Sequence, residues 1–413
     1  MTELGAIVGA AFVRAGDPSD AVTGVVPRQV VRPASIAEVQ AVVRAVGAAG
    51  ERLSACGLGA HRDLGAPPER IDVLVQLDRL ARIVDHQAAD MTATVEAGCS
   101  LAVLDERLMT AGQWLPLDPP RSEVTSVGGL VAANLSGPLR ASQGTARDSV
   151  IGMTVVGFDG ARVTGGGRVV KNVAGYDMPK LHIGAMGTLG IIVEVTFKVR
   201  PRPAREAAIV IACGSAEEAA DAALRLRDLV EPYWLVAASA GVLPTALAPG
   251  AAVVVGLAGI EEEISAHRDA VMADTHHTHH TAIVVDDAVA LRRVLADFPA
   301  LPASAVLRCA TLPTDIGTVV RTAEHAAIGG TARCVAHVVN GIAFVAIDGD
   351  AAVTATIPAL RALVAETHGG VIIDRAAPAV KQALDTYGPL GDGATLMRAV
   401  RTQFDPASLF ATR

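Results

Sequence analysis

The sequence is poor in aromatic residues and in cysteine. Phe, Trp and Tyr make up only 3% of the 413 residues, so a surface on which nucleic-acid bases stack is not expected. Lys and Arg total 35 against 43 Asp and Glu, and the formal net charge of -8 excludes a general nucleic-acid binder. The five cysteines are scattered and never spaced as C-x-x-C, so neither a disulfide framework, a zinc knuckle nor an iron–sulfur cluster is indicated. A protein of the reducing cytoplasm is expected.

Long hydrophobic runs are also scarce. The N-terminus lacks the basic region of a signal peptide, and none is predicted. Residues 232–260 carry no charged side chain and are long enough to span a bilayer. Prolines and glycines interrupt this stretch, however, which favours two short strands at 233–239 and 251–257 over a membrane span.

The length and the 51% hydrophobic content predict roughly two or three domains with a large core. The first half alternates strands and helices, with Ser35 capping a predicted helix and Asp159-Gly160 predicting a two-residue hairpin. Pro201 and Pro203 end a long strand and mark the predicted domain boundary. Beyond them a β-α-β-β-α order, with its second helix at 261–273, predicts an antiparallel sheet with helices on one face.

Glycine clusters are the most conspicuous feature of the first half. They are Gly57-Leu-Gly59-Ala-His61, Ser126-Val-Gly128-Gly129, Gly165-Gly166-Gly167 and Gly184-Ala-Met-Gly187-Thr-Leu-Gly190. Such loops bring backbone N–H groups against phosphate oxygens with no Cβ in the way. Arg62 stands where G-x-G-x-x-G requires its third glycine, so the Rossmann fingerprint fails, and no Walker lysine follows. Each cluster taken singly is compatible with a plain tight turn.

Taken in order, residues 30–201 resemble the FAD-binding domain of the vanillyl-alcohol-oxidase or PCMH type, and in particular the FAD-binding subunits of the glycolate oxidase type. The motifs that carry the likeness are Val31-Arg-Pro-Ala-Ser35, Leu64-Gly-Ala-Pro-Pro-Glu-Arg70, Val95-Glu-Ala-Gly98, Leu117-Asp-Pro-Pro120, Ser126–Gly137, Gly144-Thr-Ala-Arg-Asp148, Lys171-Asn-Val-Ala-Gly-Tyr-Asp177, Gly187–Glu194 and Phe404–Phe410. The resemblance implies an α+β fold: a PCMH-type FAD-binding domain at 1–203 (core 28–203), an α/β cap domain with an antiparallel sheet at 204–390, and a C-terminal segment, 391–413, that returns to the FAD domain.

The resemblance also implies the residues that hold non-covalent FAD. The backbone of Cys56, Gly57, Leu58, Gly59, Ala60 and His61 would cradle the diphosphate. The ribose and flavin path would be lined by Pro119, Thr125, Ser126, Gly128, Gly129, Ala132 and Ser136, and the rest of the cofactor would meet Gly144, Ile191 and Ile192. Some relatives tether flavin to a histidine directly after the second glycine. Ala60 intervenes here, so a phosphate-side or solvent-facing His61 is favoured.

The activity implied is the oxidation of a 2-hydroxy acid such as glycolate or lactate, in a complex with a sister flavoprotein and an iron–sulfur subunit. The location would be cytoplasmic, either free or peripheral to a membrane through that complex. A non-catalytic flavin-bearing scaffold and a stand-alone oxidase of another alcohol, such as an alditol, are the alternatives. The sequence identifies no catalytic base. Arg308, Arg333 and Arg375 are candidates for binding a carboxylate, but no spacing selects one.

Metal binding is not predicted. His276-His277-Thr-His279-His280 could share a helix face, but an exposed loop is favoured. Gly391-Asp-Gly393 begins like the metal motif of related D-2-hydroxy-acid dehydrogenases, and Ala394-Thr395 then departs from it.

Overall fold

A computed structural model describes residues 2–167 and 177–412. Contacts divide the described residues into two compact units, the first within Met1–Leu135, Thr145–Arg202 and Leu390–Arg413, and the second within Ser136–Gly144 and Pro203–Pro389. The motif at 171–177 lies outside the described residues except for Asp177, which pairs with Lys180 at 2.9 Å.

The helices and strands follow in chain order. The helices are α1 (Thr2–Val8), α2 (Ile36–Ala48), α3 (Leu101–Met109), α4 (Val127–Ala133), α5 (Arg140–Gln143), α6 (Ala146–Ser149), α7 (Pro179–His182), α8 (Ala216–Leu229), α9 (Glu261–His277), α10 (Ala288–Asp297), α11 (Ile316–Ala326), α12 (Asp350–Ala365), α13 (Pro378–Ala383) and α14 (Gly393–Phe404). The strands are β1 (Val13–Ala15), β2 (Gln29–Val31), β3 (Leu53–Cys56), β4 (Val73–Gln76), β5 (Ile83–Gln87), β6 (Thr92–Glu96), β7 (Gln113–Trp114), β8 (Val150–Val156), β9 (Arg162–Gly166), β10 (Ile191–Lys198), β11 (Arg200–Pro201), β12 (Arg205–Cys213), β13 (Trp234–Ala238), β14 (Ala251–Gly259), β15 (Ala282–Val285), β16 (Ala305–Ala310), β17 (Thr331–His337), β18 (Ile342–Asp348) and β19 (Gly370–Ala376).

The first unit is built on a small mixed sheet and a larger antiparallel one. The small sheet has the order β1-β2-β4-β3, with β4 parallel to both β2 and β3. The larger sheet has the order β5-β6-β10-β8-β9. Helix α2 forms as its sequence predicts, because Ser35 accepts a hydrogen bond from the Glu38 N–H and the apolar stripe through Val39 and Val46 is buried.

The hairpin predicted at Asp159-Gly160 joins β8 to β9, but its turn is longer than the two residues expected. The Gly157 N–H donates to the Ala161 carbonyl at 3.0 Å, which leaves residues 158–160 as the loop. Gly160 has φ +72°, as in three-residue hairpin loops that end in a left-handed residue.

The second unit contains an antiparallel sheet of the order β15-β12-β14-β13-β17-β18-β16-β19, which confirms the antiparallel sheet predicted for this part of the chain. Alternate strand residues such as Ile209 and Val253 share one core with buried residues of α8, α9, α11 and α12. The apolar stretch at 232–260 forms β13 and β14, which pair with each other. Among the described residues, no helix is both long enough and apolar enough to cross a membrane.

Candidate cofactor-binding cleft

A cleft opens in the first unit, beside the carboxyl end of β3 and the start of α4. The predicted residues that line it are Cys56, Gly57, Gly59, Ala60, His61, Ser126, Gly128, Gly129, Ala132, Ile191 and Ile192. The structure therefore gathers in one place segments that are more than a hundred residues apart in the sequence.

The remaining predicted site residues lie outside this lining. Leu58 is exposed, and Pro119 and Thr125 are buried. Ser136 and Gly144 cluster with the second unit, at either side of α5. For all five of these residues, contact with a cofactor stays a prediction. Arg62, Met186 and Gly187 line the cleft without having been predicted to do so. The Gly184–Gly190 cluster was the available signal for the last two.

The loop of residues 57–62 has a backbone that only glycine accommodates at two positions. A Cβ on Gly57 would lie 1.9 Å from the Ser126 hydroxyl oxygen, so the loop and the start of α4 could not approach each other as closely. Gly59 has φ +83°, in the left-handed region. These two requirements fix the path of the loop across the cleft.

The polarity of this loop suits an anion. The carbonyls of its second half accept hydrogen bonds within the protein: Ala60 O accepts from Arg121 at 2.9 Å and Arg62 O accepts from the Thr23 N–H at 2.8 Å. In the part of the chain that the structure describes, no hydrogen bond uses the N–H groups of Leu58, Gly59 or Ala60. Successive unpaired N–H groups are what a diphosphate needs.

His61 is fixed by Thr125. The Thr125 hydroxyl donates to the Arg121 carbonyl at 2.8 Å, so its oxygen accepts from His61 Nε2, also at 2.8 Å. The hydroxyl has a single proton, and the imidazole therefore carries a proton on Nε2. This hydrogen bond holds the ring against a fully buried threonine.

A charge cluster supports the same loop. Arg14 binds both oxygens of the buried Asp20, at 2.5 and 2.7 Å, and Arg62 Nη1 lies 3.6 Å from Asp20 Oδ1. The hydrogen bond from Arg14 lowers the pKa of Asp20, and that of Arg14 is raised in turn. Arg62 thereby brings a cation to the wall of the cleft.

The residues present fit a flavin dinucleotide. The loop offers N–H donors and a guanidinium for a diphosphate, while Leu77, Ala97 and Ile191 provide flat apolar walls for a ring system. A molecule with a diphosphate between two ring systems matches both features.

Three of the four clustered histidines are exposed, as predicted, but the first two are helical rather than part of a loop. His276 and His277 form the last turn of α9, because the helix continues beyond residue 273 and His277 Nδ1 contacts the Ala273 carbonyl at 2.7 Å. His280 Nε2 lies 3.0 Å from the Glu218 carboxylate, and this hydrogen bond lowers the pKa of Glu218. Within residues 2–167 and 177–412, no group of three or more His, Cys, Asp or Glu side chains could hold a metal ion.

The arginines considered for a carboxylate interact with the second unit itself. Arg308 pairs with Asp374 and Arg333 pairs with Asp348, each at 3.3 Å. Arg375 donates to the carbonyls of Pro299 and Leu301 at 3.3 Å. These contacts give each side chain a structural role.

Comparison with known families supports the assignment of the cleft to a flavin dinucleotide. Residues 27–166 match the family model described as FAD binding domain. The N-terminal part of the chain is therefore an FAD-binding domain of the PCMH type, and its cofactor is FAD. The crystal structure of p-cresol methylhydroxylase with substrate bound has a TM-score of 0.76 to this chain at 14% identity, over 99% of this chain and 94% of that one. A likeness at this identity shows a shared fold.

Curated relatives match over part of the chain. Glycolate oxidase subunit GlcE of Escherichia coli (strain K12) is 40% identical over 122 residues, which are 29% of this chain and 35% of that protein. A D-2-hydroxyglutarate dehydrogenase of Xanthomonas citri pv. viticola is 34% identical over 177 residues, 43% of this chain and 38% of that protein. The chain thus spans little more than a third of the length of these curated relatives.

Proposed function

We propose that this chain is an FAD-dependent oxidoreductase component that oxidises a 2-hydroxy acid such as glycolate or lactate. The observation that carries the proposal is the cleft itself, where the glycine loop and apolar walls suit a flavin dinucleotide. The names of both relatives point to 2-hydroxy acids as the substrate class. The proposed reaction converts the hydroxy acid to a 2-oxo acid.

In this reaction FAD would accept the hydride that leaves C2, while the hydroxyl proton passes to a base. The residues of this chain would bind and orient the cofactor. The loop at 57–62 would hold the diphosphate, and the side chains of Ile191 and Ile192, each no more than 5% exposed, would exclude water from that side of the cleft.

The chain would act as one subunit of a multi-subunit oxidase. The relative GlcE is named as a subunit, and the sequence has no cysteine spacing for an iron–sulfur cluster. Electrons would therefore pass onward through a sister flavoprotein and an iron–sulfur subunit. The complex would be cytoplasmic, with this chain docked on its partners.

The flavin would be bound without a covalent bond. His61 is the only histidine of the glycine loop, and its Nε2 already donates to Thr125. A histidine held in this way serves to fix the loop.

A second candidate, a flavin-bearing scaffold without its own turnover, is favoured by one observation. The segment that begins like a metal motif, Gly391-Asp-Gly393, continues as Ala394-Thr395 in helix α14. Anaerobic mixing of the FAD-loaded chain with glycolate or D-lactate separates the two candidates. Bleaching of the flavin absorbance supports the oxidoreductase, whereas an unchanged spectrum for the chain and for its complex contradicts it.

A further inference from the structure

Arg62 lies directly against the loop that crosses the cleft. A Cβ built on Gly59 would be 2.7 to 2.9 Å from the guanidinium atoms Nη2, Nε and Cζ of Arg62. The Nε group donates to the Gly59 carbonyl at 3.4 Å, and the side chain lines the cleft. The guanidinium therefore lies beside Gly59 of the loop, on the wall of the cleft.

Both ends of Arg62 are anchored. Its carbonyl accepts from the Thr23 N–H at 2.8 Å, and its Nη1 lies 3.6 Å from the buried Asp20. Asp20 is in turn held by Arg14 through both carboxylate oxygens. This arrangement places the cation at a fixed point of the cleft wall before any ligand arrives, which lowers the entropic cost of binding.

We propose that Arg62 binds the diphosphate of the dinucleotide, together with the backbone N–H groups of the loop. This inference rests on the FAD-binding part of the function proposed above. A guanidinium presents parallel N–H donors that match phosphate oxygens, and such charge-assisted hydrogen bonds are stronger than neutral ones. The arginine that breaks the Rossmann glycine pattern would thus supply the charge that a glycine loop alone lacks.

The test is a titration of the FAD-free protein with FAD, followed by flavin fluorescence, at low and at high salt. R62Q should raise the Kd about ten- to hundredfold at low salt, the usual effect of losing a charged hydrogen bond. Its Kd should also depend less on salt than that of the wild type, because one ionic contact is gone. R62K keeps the positive charge but loses the paired N–H donors of the guanidinium, so its Kd should lie between those of the wild type and R62Q.

Arg107→Gln is the matched control. Arg107 is exposed on α3, and its substitution removes the same charge from the same unit. It should bind FAD like the wild type. Thermal unfolding of the FAD-free variants checks the fold, and R62K carries the test if R62Q does not fold. An R62Q protein with a Kd within about twofold of wild type would overturn the inference, as would R62K binding no better than R62Q. No hydroxy acid enters these titrations, so failure of the proposed oxidation would leave the result for Arg62 unaffected.

Discussion

At the scale of single residues, the cleft is specified by backbone conformation as much as by side chains. Gly59 combines a left-handed φ of +83° with the close approach of Arg62. Any side chain here would strain the backbone and displace the guanidinium. An acidic side chain would also repel a diphosphate.

We therefore expect Gly59→Asp to lose FAD while keeping its fold, measured as flavin content per folded chain. The matched control is Gly50→Asp, because Gly50 also has a positive φ, +65°, but a Cβ there would meet nothing within 4 Å. The control should retain its flavin. A G59D protein with unchanged flavin occupancy would show that this loop does not hold the diphosphate.

Buried histidines make the stability of the protein depend on pH. Burial lowers the pKa of His182 to about 4 and that of His337 to about 3, and the charge of Arg140 adds to the effect at His337. Both values lie below the ordinary 6.5. The unfolded chain thus binds more protons below pH 6.5, so this stability is complete above pH 6.5 and is lost as the pH falls toward the folded pKa.

His337→Phe should weaken this dependence, because phenylalanine cannot be protonated and His337 already packs edge-on against Phe344, with ring centroids 5.5 Å apart. The change in slope should be about 1.4 kcal/mol per pH unit. The measurement compares urea unfolding of the variant and wild type between pH 6.5 and about pH 4. Parallel slopes for the two proteins would contradict the account.

At the scale of elements, the C-terminal segment is tied to the small sheet of the first unit. Leu53 N–H donates to Leu409 O at 2.9 Å, and the Ala411 N–H donates to Leu53 O at 2.7 Å. Leu409 and Phe410 are buried, whereas the helix before them, α14, contains no buried residue. The segment therefore contributes to stability through the residues that follow α14.

Phe410→Ala should destabilise the first unit by about 3–5 kcal/mol, the usual cost of emptying a buried aromatic site. Leu396→Ala is the control, since Leu396 is 69% exposed on α14 and its loss should cost less than about 0.5 kcal/mol. Chemical unfolding of both variants checks the difference. Equal stabilities would show that the segment is not part of the folded core.

Several helices and strands could be predicted from residues close together in the sequence. Features that depend on how distant segments pack could not. Ser35 and the valine stripe predicted α2, and the proline pair predicted the end of β10. The end of α9 was missed because the polar histidines do not continue the apolar pattern by which the helix was predicted. The position of Arg62 in the cleft was also missed. In the sequence, Arg62 is only the residue that departs from the glycine motif, whereas the folded loop places its side chain beside Gly59.

At the scale of the whole molecule, the proposed role as one subunit of an oxidase predicts that activity depends on partners. The sequence identifies no catalytic base. The pure chain should show little turnover of glycolate or D-lactate with artificial dyes. A complex reconstituted with the proposed partner flavoprotein should show full turnover. Turnover by the chain alone at the rate of the complex would make it a self-sufficient oxidase.

The central claim, that the first unit is built for FAD, is tested most directly by identifying the flavin of the purified chain. The protein is saturated with a mixture of FAD and FMN, separated from free flavin and precipitated with acid. Because the loop suits a diphosphate and His61 is held by Thr125, the supernatant should contain FAD equimolar with the chain, and the pellet none. FMN in the supernatant, no flavin at all, or flavin that remains with the polypeptide would contradict the account.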